Sequence, residues 1–130
     1  MNKPGRHTNA VVMEDSLWAK KGEEVNVREP YEDFPPGRYK IEFRIKTQDN
    51  SLADIVASVR VQKASSGKIF NRKEIKGKAF SAQNNFESFS LIFEIRGKTR
   101  LEFPIHFEGI ADMWLEKIRI TNLENTTTSK

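Results

Sequence analysis

The sequence predicts an all-β domain, an antiparallel two-sheet β-sandwich of the jelly-roll type. Three observations carry that prediction. Apolar and polar residues alternate with a period of two through most of the chain, turn-forming clusters separate the alternating runs, and no apolar pattern with the 3.6-residue period of a helix persists. Strands with one apolar face and no helices to cover them must bury those faces against one another, and the result is two packed sheets. The 130 residues suffice for one domain with a real core and leave no room for a second. Residues 1–121 are expected to form the sandwich. From Asn122 to Lys130 the apolar pattern is lost, so 122–130 reads as a flexible tail or linker.

The elements follow in order. The amino-terminal stretch is irregular, with strands expected at Val11-Val12-Met13 and around Val25 and Val27. Pro35-Pro36-Gly37 turns the chain into the cleanest run, where Tyr39, Ile41, Phe43 and Ile45 alternate with Lys40, Glu42, Arg44 and Lys46. Gln48-Asp49-Asn50-Ser51 ends it. A second run sets Ile55, Ala57, Val59 and Val61 against Ser58, Arg60 and Gln62; Ser65-Ser66-Gly67 follows as an expected hairpin turn. Phe89, Leu91, Phe93 and Ile95 form the next run, and Arg96-Gly97-Lys98 reads as another hairpin turn. Leu101, Phe103, Ile105 and Phe107 alternate with Arg100, Glu102, Pro104, His106 and Glu108. Pro104 cannot donate to a ladder, which places its strand at an edge or at a bulge. Ile118 and Ile120 close the series. Trp114 shares their parity, which points it into the core unless a bulge intervenes.

Composition excludes several classes of function. With no cysteine, the chain has no disulfide framework, thiolate metal site or cysteine nucleophile. No window approaches the ~20 apolar residues of a membrane span, so no membrane insertion is expected. No secretory leader is evident near Met1, which suits a cytosolic protein and equally a module of a longer secreted or cell-surface parent. The net charge of +4 is spread through mixed-sign surfaces, except between Lys63 and Lys78, where six cations meet only Glu74. That segment reads as a solvated hairpin before it reads as a polyanion site.

Catalysis is not expected. Of the two histidines, His7 sits in a polar start and His106 on the wet side of a strand among carboxylates, where it reads as a surface residue rather than a base. There is no nucleophile-elbow serine, no Gly-rich phosphate loop and no histidine cluster with metal-ligand spacing along the sequence. Aromatic residues outside the alternating pattern carry more information, because the C–H faces of sugars stack on aromatic rings. Trp18, Tyr31, Phe86 and Trp114 are such residues, and Asn84, Asn85 and Asp112 beside them supply amide and carboxylate partners for hydroxyl groups. The competing reading makes the rings plugs at the ends of a small sandwich.

From Tyr31 to Ile120 the chain resembles the galactose-binding-domain-like β-sandwich modules, especially carbohydrate-binding modules of the group that includes families six and thirty-five. Three stretches carry the resemblance: Pro35 to Ile45, with its turn-Gly-x-Tyr strand and Phe43-Arg44; the strand from Phe86 to Phe93; and Gly109 to Ile120, where an acidic residue precedes an alternating aliphatic pair. The resemblance implies a non-catalytic jelly roll that binds oligosaccharide or polysaccharide through loop aromatics and polar residues, with Trp114 near the family's contact before the closing strand and Trp18 near its early loop aromatic. It also implies a structural calcium held by Glu14 and Glu116, with help from backbone carbonyls and Asp15, since calcium takes about six to eight oxygens.

The leading expectation is an accessory module that tethers a parent enzyme or transporter to its glycan. The alternative is a protein-interaction or assembly domain using the same aromatics as anchors. Nucleic acid or acidic polysaccharide on the Lys63 to Lys78 segment, with Phe70 as stacking partner, ranks third.

Overall fold

The computed structural model describes residues 10–13, 17–27 and 32–123. They form eleven strands: β1 (Ala10–Met13), β2 (Leu17–Ala19), β3 (Val25–Val27), β4 (Glu32–Phe34), β5 (Gly37–Thr47), β6 (Ile55–Lys63), β7 (Ile69–Lys76), β8 (Glu87–Ile95), β9 (Thr99–Glu102), β10 (Ile105–Phe107) and β11 (Met113–Asn122). A short 3-10 turn, Gly77–Ala79, accompanies them. Every pairing is antiparallel. The first sheet runs β1-β11-β5-β8, with β2 on the same edge of β11 as β1; the second runs β3-β10-β6-β9-β4, with β7 on the other edge of β6. Among the described residues no helix is long and apolar enough to cross a membrane.

The period-two pattern explains the sandwich. In β5, Tyr39, Ile41, Phe43 and Ile45 are buried while Arg38, Lys40, Glu42, Arg44 and Lys46 point outward. They meet Ala57, Val59 and Val61 of β6 and Leu101, Phe103, Ile105 and Phe107 from the second sheet in one continuous core. Each such side chain contributes about 1.5–3 kcal/mol by leaving water, so the alternation alone sets which face of each long strand turns inward. Tyr39 keeps its hydroxyl satisfied by donating to the Pro35 carbonyl at 2.6 Å, which ties the Pro-Pro-Gly turn to the strand it starts.

Two local expectations are corrected. Ser65-Ser66-Gly67 does close the β6–β7 hairpin, with Gly67 at φ 77°, a conformation that favours glycine. Arg96-Gly97-Lys98, however, joins β8 of one sheet to β9 of the other. A Gly-containing turn reverses the chain without choosing the next partner, and here that partner is β6 and β4 rather than β8. Pro104 is neither at an edge nor in a bulge. Gln62 faces Glu102 and Val59 faces Ile105, so the register with β6 runs unbroken past Pro104, which is buried between β6 and the β3/β4 side. Its carbonyl accepts from the Arg60 N–H at 3.1 Å. Only the donor half of that pair is missing, and the loss shows as a break between β9 and β10.

Candidate functional site

The strand β11 contains the feature that makes the site. Its pairing with β5 shifts between Leu115 and Lys117, so Glu116 is an extra residue in a β-bulge. Before the bulge the odd-numbered Met113 and Leu115 face inward, and after it the even-numbered Ile118 and Ile120 do. Parity therefore misplaces Trp114: it lies half-exposed on the outer face, directly opposite Trp18 of β2 on one side and Lys46 of β5 on the other.

These neighbours form a row across the first sheet. The Trp18 and Trp114 rings are parallel to within 6°, with centroids 6.3 Å apart, and Trp18 is 53% exposed. That spacing is an offset rather than a face-to-face arrangement. Lys46 places Nζ 4.6 Å from the Trp114 centroid and 4.8 Å from that of Phe86. Phe86 follows on because Ile45 pairs with Glu87, the first residue of β8. Lys20 lies 5.5 Å over Trp18 at the other end. Exposed cation–π contacts contribute about 0.5–1 kcal/mol each, enough to bias the ring orientations.

Polar groups stand beside this row on the same face. Arg44, Ser88 and Glu116 lie two positions along from Lys46, Phe86 and Trp114, and with Glu42, Lys117 and Arg119 they line a shallow depression of about 350 Å³. Arg44 Nε donates to Glu116 Oε1 at 2.8 Å, both side chains being partly exposed. Guanidinium, carboxylate and hydroxyl groups held on a sheet face are suited to bonding the hydroxyls of a polyol.

Loops converge at the row's end. Asp112 Oδ1 accepts from the Lys21 N–H at 2.6 Å and its carbonyl accepts from the Gln48 N–H at 2.9 Å, so it joins the segments that follow β2 and β5. Asn84, at φ 61°, donates its N–H to the Thr47 carbonyl, and Gln83 Nε2 donates to the Gln48 carbonyl. Asn85 is exposed in the same loop. Asp49 accepts from both the hydroxyl and the N–H of Ser51, and these bonds hold its carboxyl below the usual carboxylate range. Trp18, Asn84, Asn85, Phe86, Asp112 and Trp114 thus gather at one end of the first sheet, whereas Tyr31 lies outside the described residues. Sequence reasoning missed Lys46, Arg44, Ser88, Glu42 and Arg119. Their one signal was the wet-face alternation of their strands, which says outward but not beside what.

Glu14 and Asp15 lie outside the described residues, and Glu116 spends one oxygen on Arg44 with Lys117 and Arg119 lining the same depression. Glu116, the third residue of the expected calcium set, stands beside Glu42 in that depression. On the Lys63 to Lys78 segment, Phe70 is partly buried against the core, tilted onto Phe93 at 6.4 Å, with Lys68 5.5 Å over it. Histidine is also not isolated: Glu24, His106 and Glu108 meet across two strands, a proximity that linear spacing concealed.

With this geometry in place, comparison with known proteins is informative at the level of fold. No protein-family model matches the sequence, and no curated protein matches it. Among solved structures, a family 16 carbohydrate-binding module superposes with a TM-score of 0.58 at 12% identity, covering 82% of this chain and 76% of that one. The CBM36-1 domain of a multidomain xylanase from the hindgut metagenome of Trinervitermes trinervoides gives 0.56 at 9% identity, over 88% and 98%. The chain has the fold of a carbohydrate-binding module. The C-terminal CBM6 of LamC, a marine laminarinase from Zobellia galactanivorans, gives 0.51 at 16% identity, over 88% and 100%. The antiparallel two-sheet β-sandwich anticipated from the sequence is therefore the observed fold, and these modules share it.

Proposed function

We propose that the protein is a non-catalytic carbohydrate-binding module that holds an oligosaccharide or polysaccharide against the outer face of the first sheet. The observation that carries this reading is the row Trp18, Trp114, Lys46 and Phe86 beside Arg44, Glu116, Glu42 and Ser88: aromatic faces for sugar rings, with hydrogen-bonding groups alongside. The row crosses four strands, three spacings of ~4.8 Å, or about 14 Å in all, which suits a stretch of chain rather than a single sugar. The superposed modules of a laminarinase and a xylanase support the same class of ligand. Attached to a parent enzyme or transporter, such a module raises the local concentration of that parent on its glycan.

Each sugar hydroxyl exchanges water for protein, a net gain of about 0.5–1.5 kcal/mol per bond, so single-site affinity is modest. A glycan array probed with the purified chain, followed by titration calorimetry of its best glycan against Trp18→Ala, is the test. Saturable binding to one glycan class, weakened at least tenfold in the variant with an unchanged melting temperature, is expected. Silence across the array, or undiminished binding by Trp18→Ala, would overturn the site; silence with retained capture of a protein ligand through the same row would favour an interaction domain instead. Binding to duplex DNA that weakens steeply with salt would move the function to the Lys63 to Lys78 segment.

A further inference from the structure

On the outer face of the second sheet, away from the aromatic row, three ligand-type side chains converge. His106 lies in β10 directly opposite Asn26 of the edge strand β3, Glu24 immediately precedes β3 and Glu108 immediately follows β10. His106 Nε2 is 3.3 Å from Glu24 Oε2 and 3.6 Å from Glu108 Oε2, and the three ligand atoms all lie within 4.8 Å of one another. On the other side of the ring, His106 Nδ1 is 2.6 Å from Asn26 Oδ1. An amide oxygen only accepts, so with Asn26 in this orientation Nδ1 donates to it, and Nε2 is the ring nitrogen that faces the two carboxylates and is left to ligate.

We propose that Glu24, His106 and Glu108 bind one divalent transition-metal ion, with zinc the best-matched. Two carboxylates facing an imidazole nitrogen draw a cation, either a proton on Nε2 or a metal ion among the three, and the spacing suits a small metal. Zinc bonds of about 2.0–2.2 Å in tetrahedral geometry set neighbouring ligand atoms roughly 3.3–3.6 Å apart, which are the two histidine–carboxylate distances here. One imidazole with two carboxylates is a donor set for zinc, nickel or copper, whereas calcium takes oxygen ligands in larger number. The Glu24 side chain is 65% exposed, so it can close the remaining gap, and water takes the open position. Asn26 acts as the outer partner that orients the ring.

The backbone under the site is braced. Gly22 donates its N–H to the Gly109 carbonyl at 2.7 Å, and Glu108 donates its N–H to the Val56 carbonyl at 3.0 Å. Gly109 sits at φ 83°, and a Cβ there would come within 3.0 Å of the Glu23 backbone, so the two segments carrying the glutamates pack closer than any other residue permits. A bound metal joins the edge strand to its neighbour and stabilises the folded state by mass action.

The test uses the untagged, chelator-treated chain, titrated with zinc by calorimetry and with cobalt by absorption spectroscopy, and melted with and without zinc. One equivalent of zinc, a cobalt spectrum of low coordination number and a rise in melting temperature of about 5 °C are expected. His106→Gln should abolish all three, Glu24→Gln should weaken affinity at least tenfold, and Asn26→Ala should weaken it about 10- to 100-fold while keeping the stoichiometry. His7→Gln, altering the other histidine, should bind as the parent does. Absence of saturable binding would overturn the proposal, as would zinc binding that survives Glu24→Gln and His106→Gln unchanged or is lost in His7→Gln.

Discussion

Leu115 and Trp114 are adjacent, both apolar, and end on opposite faces of the same sheet. Leu115 is 1% exposed in the core beside Met113 and Ile45, while Trp114 stands outside between Trp18 and Lys46. The inner face is continuous aliphatic and aromatic surface pressed against a second sheet. The outer face sets rings beside ammonium, guanidinium and carboxylate groups and leaves one indole open to solvent. The difference teaches that burial accounts for the first set of residues and cannot account for the second. An exposed large ring gives up the ~1.5–3 kcal/mol available from burying it, and a row of them on one face, with polar groups beside it, is what a ligand surface requires.

The most disruptive way to break this comparison is Leu115→Asp, on the inner side of the strand. An ionised carboxylate there has only apolar core side chains around it, and burying it unpaired costs far more than truncation. A loss of more than ~4 kcal/mol is expected, read as the absence of a cooperative unfolding transition. A milder test sets Leu115→Ala against Trp114→Ala in one melting experiment. The first should cost about 2–5 kcal/mol through the cavity it leaves, and the second less than about 1 kcal/mol while removing glycan binding. Equal destabilisation by the two would make Trp114 a structural residue and end the ligand reading for it.

Smaller still is Lys46→Met, which keeps the stem and removes the charge that lies over two rings. A loss of about 1 kcal/mol is expected from the two exposed cation–π contacts, seen as a small fall in melting midpoint with the fold intact. The smallest effect concerns Asp49. Its carboxyl is held low first by the Ser51 hydroxyl and then by the Ser51 N–H, so its contribution to stability is present above the unfolded-state pKa and is lost as pH falls through the lower folded value. The group is partly exposed, so chemical shifts are the proper measure. Amide signals of residues 49–51 should hold steady from neutral pH downward and move only below the range in which an ordinary aspartate titrates.

The fold was legible because period-two alternation with turn clusters leaves few ways to bury one face of every strand. Tyr39 to Ile45 and Phe89 to Ile95 lie as their spacing indicated, Phe89 being only partly buried against Phe80. Of the candidate site, Trp18, Phe86, Trp114, Asn84 and Asn85 gather at one end of the first sheet, but as part of a sheet face rather than as loops alone, while Tyr31 lies outside the described residues. Lys46 and Arg44 were visible only as outward residues of a strand, since nothing in their own neighbourhood names the strands on either side.

By itself, then, the sequence determined which residues of β5 and β8 face inward, and that no disulfide or thiolate chemistry is available. Those are consequences of local periodicity and composition, which do not depend on partners. Tertiary structure decided the rest: that Arg96-Gly97-Lys98 changes sheets, that Pro104 sits inside a ladder, that Glu116 is the extra residue that turns Trp114 outward, and that Glu24 and His106, 82 positions apart in the chain, come within reach of each other. Each depends on strand register and pairing, and these are set by how two sheets fit together and are written in no single segment.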